Sequence, residues 1–362
     1  MRISWIDRWR GFLIISIVMF HVVGIGIASG DGCIVQALEK IKTLISTYHV
    51  VSFFVIAAIL LPDANIPFGS FLAKKAKRLL IPYFVFGVAM VVVFHLSTRF
   101  IGGLEYYSNL NNEVEWYTPL LALVHGGGWP DGVGNRVIGP LWFLPCFFSA
   151  QVFFYFIAKV CDTSLKWFSA AVLVLVLRLF SVHLAYGVNP FGIEMAMLYL
   201  VFMCISRGAI ATAGFDLARN DIMSPRYIIL AVVCLFIGSL LGTIALPPLA
   251  SVIRFVVVGS LGVIGSALIA KTVNIKFLAY VGRYSLGVFV VHKFFLVAVQ
   301  AVTGNLGCCF DNGLVIGLSS IALITTFVVA ASIVASKVVL KIAPWAMGER
   351  CNKRSIPRSR EI

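Results

Sequence analysis

Charged residues are scarce in this chain. They make up 12% of its 362 residues, whereas hydrophobic residues make up 60% and the mean hydropathy is +0.99. A soluble domain has about 25% charged and about 45–50% apolar residues. The scarcity of charge therefore excludes an ordinary soluble enzyme, a disordered protein and a fibrous repeat, and it predicts a polytopic membrane protein.

Several motifs of soluble catalysis and nucleotide binding are also missing. The sequence has no Walker motif, no Gly-x-Gly-x-x-Gly and no Gly-x-Ser-x-Gly hydrolase elbow. Its eight cysteines show neither the spacing of a metal site nor a disulfide framework, so no metal is predicted. Cys33 can pair with Cys308 or Cys309 across predicted external loops, or the three stay unpaired; both interpretations remain open.

Long apolar runs are abundant instead. Crossing a bilayer takes about 17–25 apolar residues, and such runs are rich in Phe, Val, Ile and Leu with scattered Gly here. The predicted fold is an all-α bundle of about ten transmembrane helices, at 11–29, 44–61, 81–97, 139–158, 167–186, 191–206, 227–246, 249–270, 284–303 and 313–336.

Acidic residues are few, 15 against 29 lysines and arginines, which gives a net charge of +14. The basic residues lie between apolar runs. This position indicates that the excess of positive charge reflects membrane topology, so no nucleic-acid partner is predicted. With the N-terminus inside, the predicted cytoplasmic segments hold 22 of them and the external segments 4. We therefore predict two cytoplasmic termini, a transmembrane domain over 1–343 and a basic, disordered cytoplasmic tail over 344–362.

Ionisable residues inside membrane spans are costly and are candidates for function. Arg10 and His21 are eleven residues apart, which places both on one helix face with a rise of about 16 Å. Asp7 lies three residues before Arg10 and can pair with it. Two interpretations remain open: a functional pair, or a positive-inside anchor with a hydrogen-bonded core histidine.

Five sequence blocks, in order, resemble the acyltransferase-3 family of integral membrane O-acyltransferases. The first is Ile6-Asp7-x-x-Arg10-Gly11 followed by His21, the Arg-x10-His signature of the family. The others are His49-Val50-Val51-Ser52-Phe53-Phe54, Lys77-Arg78-Leu79-Leu80-Ile81-Pro82-Tyr83, Leu141-Trp142-Phe143-Leu144, and Val281-Gly282-x-x-Ser285-Leu286 with His292. Val50-Val51 replaces the family's Met-Pro, which predicts a straighter second helix.

The resemblance implies an enzyme of the inner (plasma) membrane that takes an acyl group, most commonly acetyl, from cytoplasmic acyl-CoA. The acceptor is a hydroxyl of an extracytoplasmic or lipid-linked glycan, and no cofactor stays bound. His21 is the candidate catalytic base or acyl carrier, because acyl transfer to a hydroxyl needs its proton removed. Arg10 is expected to clamp the phosphates of the donor, and Asp7 to hold Arg10.

Further residues are expected to bind substrate or lipid. Lys77 and Arg78, with Lys74 and Lys75 beside them, are placed to meet the anionic donor or lipid headgroups at the membrane surface. His49, Trp142, His292 and Lys293 are the other candidate substrate-binding residues. A lysine in mid-span needs a partner, and Glu194 or an external carboxylate is the candidate.

A multi-pass exporter or flippase of a glycan or small metabolite is the alternative function. Such a transporter predicts broken half-helices in two paired halves, and the sequence shows neither. The sequence does not define the acyl group, the acceptor glycan or the oligomeric state.

Overall fold

The computed structural model describes residues 3–29, 32–60, 66–100, 117–126, 137–184, 190–213, 224–303 and 314–349. Within these ranges the chain is helical and contains no strand. The α-helices are α1 (Ser4–Ser29), α2 (Gly32–Ser46), α3 (Val51–Ile59), α4 (Phe68–Phe100), α5 (Thr118–His125), α6 (Phe143–Val160), α7 (Ser164–Leu184), α8 (Ile193–Ala213), α9 (Arg226–Gly242), α10 (Pro248–Thr272), α11 (Lys276–Arg283), α12 (Ser285–Thr303) and α13 (Leu314–Ile342).

Seven segments of the described chain are helical, long and apolar enough to cross a membrane. An eighth is obtained if α11 and α12, which meet at an angle of 79°, form one broken span. The predicted all-α multi-pass membrane protein is confirmed, whereas the count of ten and the cytoplasmic location of both termini stay predictions. The seven segments that could cross a membrane are Ser4–Ala28, Ile34–Ile59, Phe68–Leu96, Gly139–Val160, Pro190–Ala213, Pro248–Thr272 and Leu314–Ile342.

Helix α1 lies at the centre of the bundle. Trp9, Leu13, Ile14 and Val18 are at most 1% exposed, so large apolar side chains of α1 face protein. Outer helices instead expose large apolar side chains, as Phe236 of α9 does, because lipid rather than water surrounds them.

Two glycines of the family blocks allow α1 and α11 to cross with their backbones in contact. A Cβ at Gly11 would lie 1.9 Å from the backbone oxygen of Leu278, and one at Gly282 would lie 1.9 Å from that of Asp7. Only a residue without a Cβ allows this approach. The crossing fixes Arg10 next to the start of α12.

The second predicted helix is interrupted rather than straight, because a turn at residues 47–50 separates α2 from α3. Thr47 tightens this turn, since its backbone nitrogen donates to the oxygen of Leu44 at 3.3 Å, three residues back. Gly262 of α10 leaves room for the turn, because a Cβ there would lie 2.3 Å from the Thr47 oxygen. The turn carries His49 into the bundle.

A short 3-10 turn, Pro344–Met347, follows α13 and packs against α4. Ala346 and Met347 are 4% and 3% exposed. Gly348 has a φ of +69°, and a Cβ there would lie 2.3 Å from the Lys77 backbone oxygen. The first residues of the predicted tail therefore form a turn packed on the bundle, and residues 350–362 lie outside the described ranges.

Candidate active site

A cavity of about 390 Å³ opens between α1, α3, α4, α6 and the α11–α12 bend. Cationic side chains line one part of it, and no acidic side chain is among the described residues that line it. The cations are Arg10, Lys74, Lys75, Arg78 and Arg283. An anion is the ligand that such an unbalanced set of charges favours.

Aromatic rings form another wall of the same cavity. Phe143 stacks on Phe147 with ring centres 5.0 Å apart, and it also contacts Phe289 at 5.2 Å. Phe53 completes this wall at 6.0 Å from the Phe143 ring. Because cations and rings line one space, the cavity suits an amphipathic ligand with an anionic part and an apolar part.

Arg10 is oriented by its neighbour on α1. A guanidinium nitrogen, Nη1, lies 3.7 Å from Oδ1 of Asp7, and the Asp7 side chain is 9% exposed against 29% for Arg10. The buried carboxylate therefore holds the more exposed guanidinium at the cavity, which is the geometry that the sequence spacing predicts.

Lys75 is fixed on the cavity wall by Gln151, a residue that the sequence reasoning missed. The ammonium of Lys75 donates a hydrogen bond to Oε1 of Gln151, whose Nε2 in turn donates to the backbone oxygen of Phe147 at 3.3 Å. Arg283, which follows Gly282 of the fifth block, also lines the cavity and is not among the site residues predicted from the sequence. Neither Gln151 nor Arg283 belongs to a motif that would mark it as a site residue; each lies only near or within one of the five sequence blocks.

Three histidines from separate segments gather inside the bundle. The His21 ring of α1 lies 5.3 Å from the His292 ring of α12, measured between ring centres. His49 stacks on Phe20 at 4.7 Å, and Phe20 also meets His21 edge-on at 5.5 Å. The structure thus brings together three of the predicted site residues that lie far apart in the sequence.

Phe289 lies between the cavity and the histidines. It lines the cavity, is 6% exposed and has its ring 6.0 Å from the ring of His292. His21, His49 and His292 do not line the cavity themselves. The cationic cavity and the histidine cluster are therefore adjacent compartments, joined by α1, which carries Arg10 in one and His21 in the other.

Among the described residues, Lys293 has a backbone oxygen as a partner. Its ammonium donates to the backbone oxygen of Val137 at 3.0 Å and packs against Gly139, where a Cβ would lie 2.3 Å from Nζ. Glu194 pairs instead with Arg178, with 2.5 Å between Oε1 and Nη2. Lys293 therefore anchors the segment that leads into the 3-10 turn Gly139–Trp142.

Two other predicted residues lie beside the cavity rather than on it. The backbone of Lys77 packs against Gly348, and Trp142 is half-buried with its ring 6.5 Å from that of Phe143. Neither side chain is among those that line the cavity.

The alternative pairings of Cys33 concern Cys308 and Cys309, which lie outside the described residues, and the Cys33 side chain is likewise not described.

The fold and the site together define a multi-pass helical membrane protein that holds buried imidazoles next to a cavity lined by cations and aromatic rings. A family model described as an acyltransferase domain, that of the acyltransferase-3 family, matches residues 3–337. The chain belongs to this family and is a membrane acyltransferase. No match was found among curated proteins or among solved structures.

Proposed function

We propose that the chain transfers an acyl group, most commonly acetyl, from cytoplasmic acyl-CoA to a hydroxyl of an extracytoplasmic or lipid-linked glycan in the inner membrane. The observation that carries the proposal is the arrangement along α1. Arg10 lines the cationic cavity, and His21 lies about 16 Å further along the same helix, by the rise of an α-helix, in the neighbouring histidine cluster.

The cavity provides what acyl-CoA requires. Its phosphates are anionic, and guanidinium groups such as those of Arg10, Arg78 and Arg283 bind phosphate oxygens in a bidentate manner. The N-terminus of α12, whose first residue Ser285 lines the cavity, adds backbone N–H groups and a favourable helix dipole. The uncharged pantetheine arm and the acyl group then lie along the wall formed by Phe143 and Phe147.

The histidine cluster supplies the base. His21 removes the proton of the acceptor hydroxyl while the hydroxyl oxygen attacks the thioester carbon. The new C–O ester bond forms, the C–S bond breaks, and CoA leaves as the thiolate, which takes up a proton from solvent or from the imidazolium. Phe289 lies in the path between donor and His21, so its side chain has to turn aside for the reaction.

The remaining candidate residues have roles on the acceptor side in this proposal. His49 and His292 surround the reacting centre. Lys293 positions the segment at 137–142, which carries Trp142. Membrane lipids surround the bundle, as the exposed apolar side chains of the outer helices indicate.

The proposal is tested by measuring the acyl content of surface glycans by mass spectrometry in cells with and without the chain. We expect ester-linked acyl groups to disappear when the chain is absent and to return when it is supplied. A glycan exporter or flippase would instead change the amount of surface glycan and leave its acyl content per sugar unchanged, which would contradict the proposal.

A further inference from the structure

The hydrogen bonds of His292 fix which of its ring nitrogens carries a proton. Nδ1 lies 2.7 Å from the backbone oxygen of Phe289 and 3.2 Å from that of Val288. A carbonyl oxygen only accepts hydrogen bonds, so Nδ1 is the donor. Because a neutral imidazole has a single N–H, Nε2 of His292 is a hydrogen-bond acceptor.

That acceptor is buried and has no hydrogen-bond partner among the described residues. The whole His292 side chain is 0% exposed, so water does not reach Nε2 from the surface. A buried acceptor without a partner is uncommon in native proteins and therefore calls for an explanation. The polar ring next to it is that of His21, 5.3 Å away between ring centres.

We propose that His292 is a positioning residue for His21: its Nε2 accepts a hydrogen bond from one ring nitrogen of His21, so the other His21 nitrogen carries the lone pair. The proposal rests on the proposed function, in which His21 is the base. The two imidazole rings are neighbours, with 5.3 Å between their centres, and catalytic hydrogen bonds often tighten only when substrate binds. His292 therefore takes the orienting role that a carboxylate has in other histidine-based sites, without adding a buried charge.

His49 is less suited to this role, although its tautomer is fixed in the same way. Its Nδ1 lies 2.8 Å from the backbone oxygen of Ile45. The face of its ring is covered by Phe20, which also meets the ring of His21 edge-on. The ring of His292, in contrast, contacts the ring of His21 directly.

A pair of substitutions separates positioning from packing. In His292→Gln the amide oxygen still accepts a hydrogen bond from His21, whereas in His292→Leu a side chain of similar size accepts none. We expect kcat for acyl transfer to be at least about tenfold lower in His292→Leu than in His292→Gln, because a catalytic histidine that loses its orienting partner is left in the wrong tautomer. The KM for acyl-CoA is expected to be unchanged in both, because the donor cavity is not lined by His292.

A purely structural role of His292 predicts the opposite order. Leucine suits an apolar interior, whereas a buried amide without a partner destabilises the fold. If His292→Leu retains as much kcat as His292→Gln, or more, the positioning role is wrong.

A second measurement needs no acyl transfer. Solid-state ¹⁵N NMR of histidine-labelled protein in lipid bilayers distinguishes the tautomers, and the His21 signals are assigned by their loss in His21→Ala. We expect one His21 tautomer in the wild type and in His292→Gln, and a mixture in His292→Leu. If His21 keeps the wild-type tautomer in His292→Leu, the proposal is overturned. If the expected pattern is found in a protein that transfers no acyl group, the pairing stands and the proposed function fails.

Discussion

At the residue scale, the planar guanidinium of Arg10 is held in one position at the cavity. Asp7 holds the guanidinium at the cavity with 3.7 Å between Oδ1 and Nη1. Lysine keeps the charge but loses the planar fork that binds phosphate in a bidentate manner. Losing one charge-assisted hydrogen bond corresponds to an affinity loss of about tenfold or more.

We therefore expect Arg10→Lys to raise the KM for acyl-CoA by about tenfold and to leave the KM for the acceptor unchanged. The measurement is the transfer rate against acyl-CoA concentration in reconstituted membranes. Arg226→Lys, which changes an exposed arginine outside the cavity in the same way, is the matched control. An Arg10→Lys protein with the wild-type dependence on acyl-CoA would reduce Arg10 to an orientation signal.

His21 gives a second prediction at this scale. If it is the base, His21→Ala lowers the transfer rate by about 100-fold or more and leaves the abundance in the membrane close to wild type. His95→Ala is the matched control, since His95 of α4 is in neither the cavity lining nor the histidine cluster. Full acyl modification by His21→Ala would return His21 to the role of a core histidine.

Individual site residues differ in how well the sequence predicts them. The pairing of Asp7 with Arg10 follows from their spacing on one helix, because helical neighbours three apart meet. Gln151 and Arg283 do not follow from spacing, since their place at the cavity depends on how α6 and the α11–α12 bend pack against α4. Lys293 was predicted to pair with Glu194 or an external carboxylate; of these candidates, Glu194 on α8 pairs with Arg178 of α7.

At the scale of elements, the α1–α11 crossing is the contact that places the site. Gly282→Ala puts a Cβ 1.9 Å from the Asp7 backbone oxygen, and backbone atoms on both sides leave no flexible group to move. We expect a destabilisation of at least about 1–3 kcal/mol, typical of overpacking, together with a higher KM for acyl-CoA because Arg10 moves with α1. Thermal unfolding in detergent and the donor KM measure the two effects.

Gly69→Ala is the control for this substitution. Gly69 is also helical, in α4, but a Cβ there meets no atom within 4 Å. The free energy of unfolding of the Gly69→Ala protein is expected to be unchanged or raised by about 0.5–1 kcal/mol, since alanine stabilises a helix more than glycine does. Equal stability of Gly282→Ala and the wild type would contradict the close crossing.

Element boundaries were predicted unevenly. Apolar runs identify spans well, because burial in lipid requires a long uninterrupted helix, and α10 and α13 illustrate this. The turn at residues 47–50 was not predicted, since it depends on the space that Gly262 leaves in another helix. The 79° bend before α12 was not predicted either, because it arises where α11 packs across α1.

At the scale of the whole molecule, the charge asymmetry predicts the orientation. Cysteine introduced at Asn111 should react with a membrane-impermeant reagent added outside, and cysteine at Ser355 should not, in a background lacking the native cysteines. The reason is that cytoplasmic segments hold 22 of the basic residues and external segments 4 in the predicted topology. Labelling of position 355 from outside would contradict cytoplasmic termini.

The central claim is that this family member moves an acyl group from acyl-CoA to a glycan through His21. The most direct measurement uses the purified protein in liposomes with radiolabelled acetyl-CoA and a membrane glycolipid fraction. It follows both the release of CoA thiol and the appearance of alkali-labile acetyl esters on glycan. We predict equal amounts of thiol and ester with the wild type and neither with His21→Ala. The absence of thiol release with acetyl-CoA and with longer acyl-CoA donors, or equal release by His21→Ala, would contradict the claim.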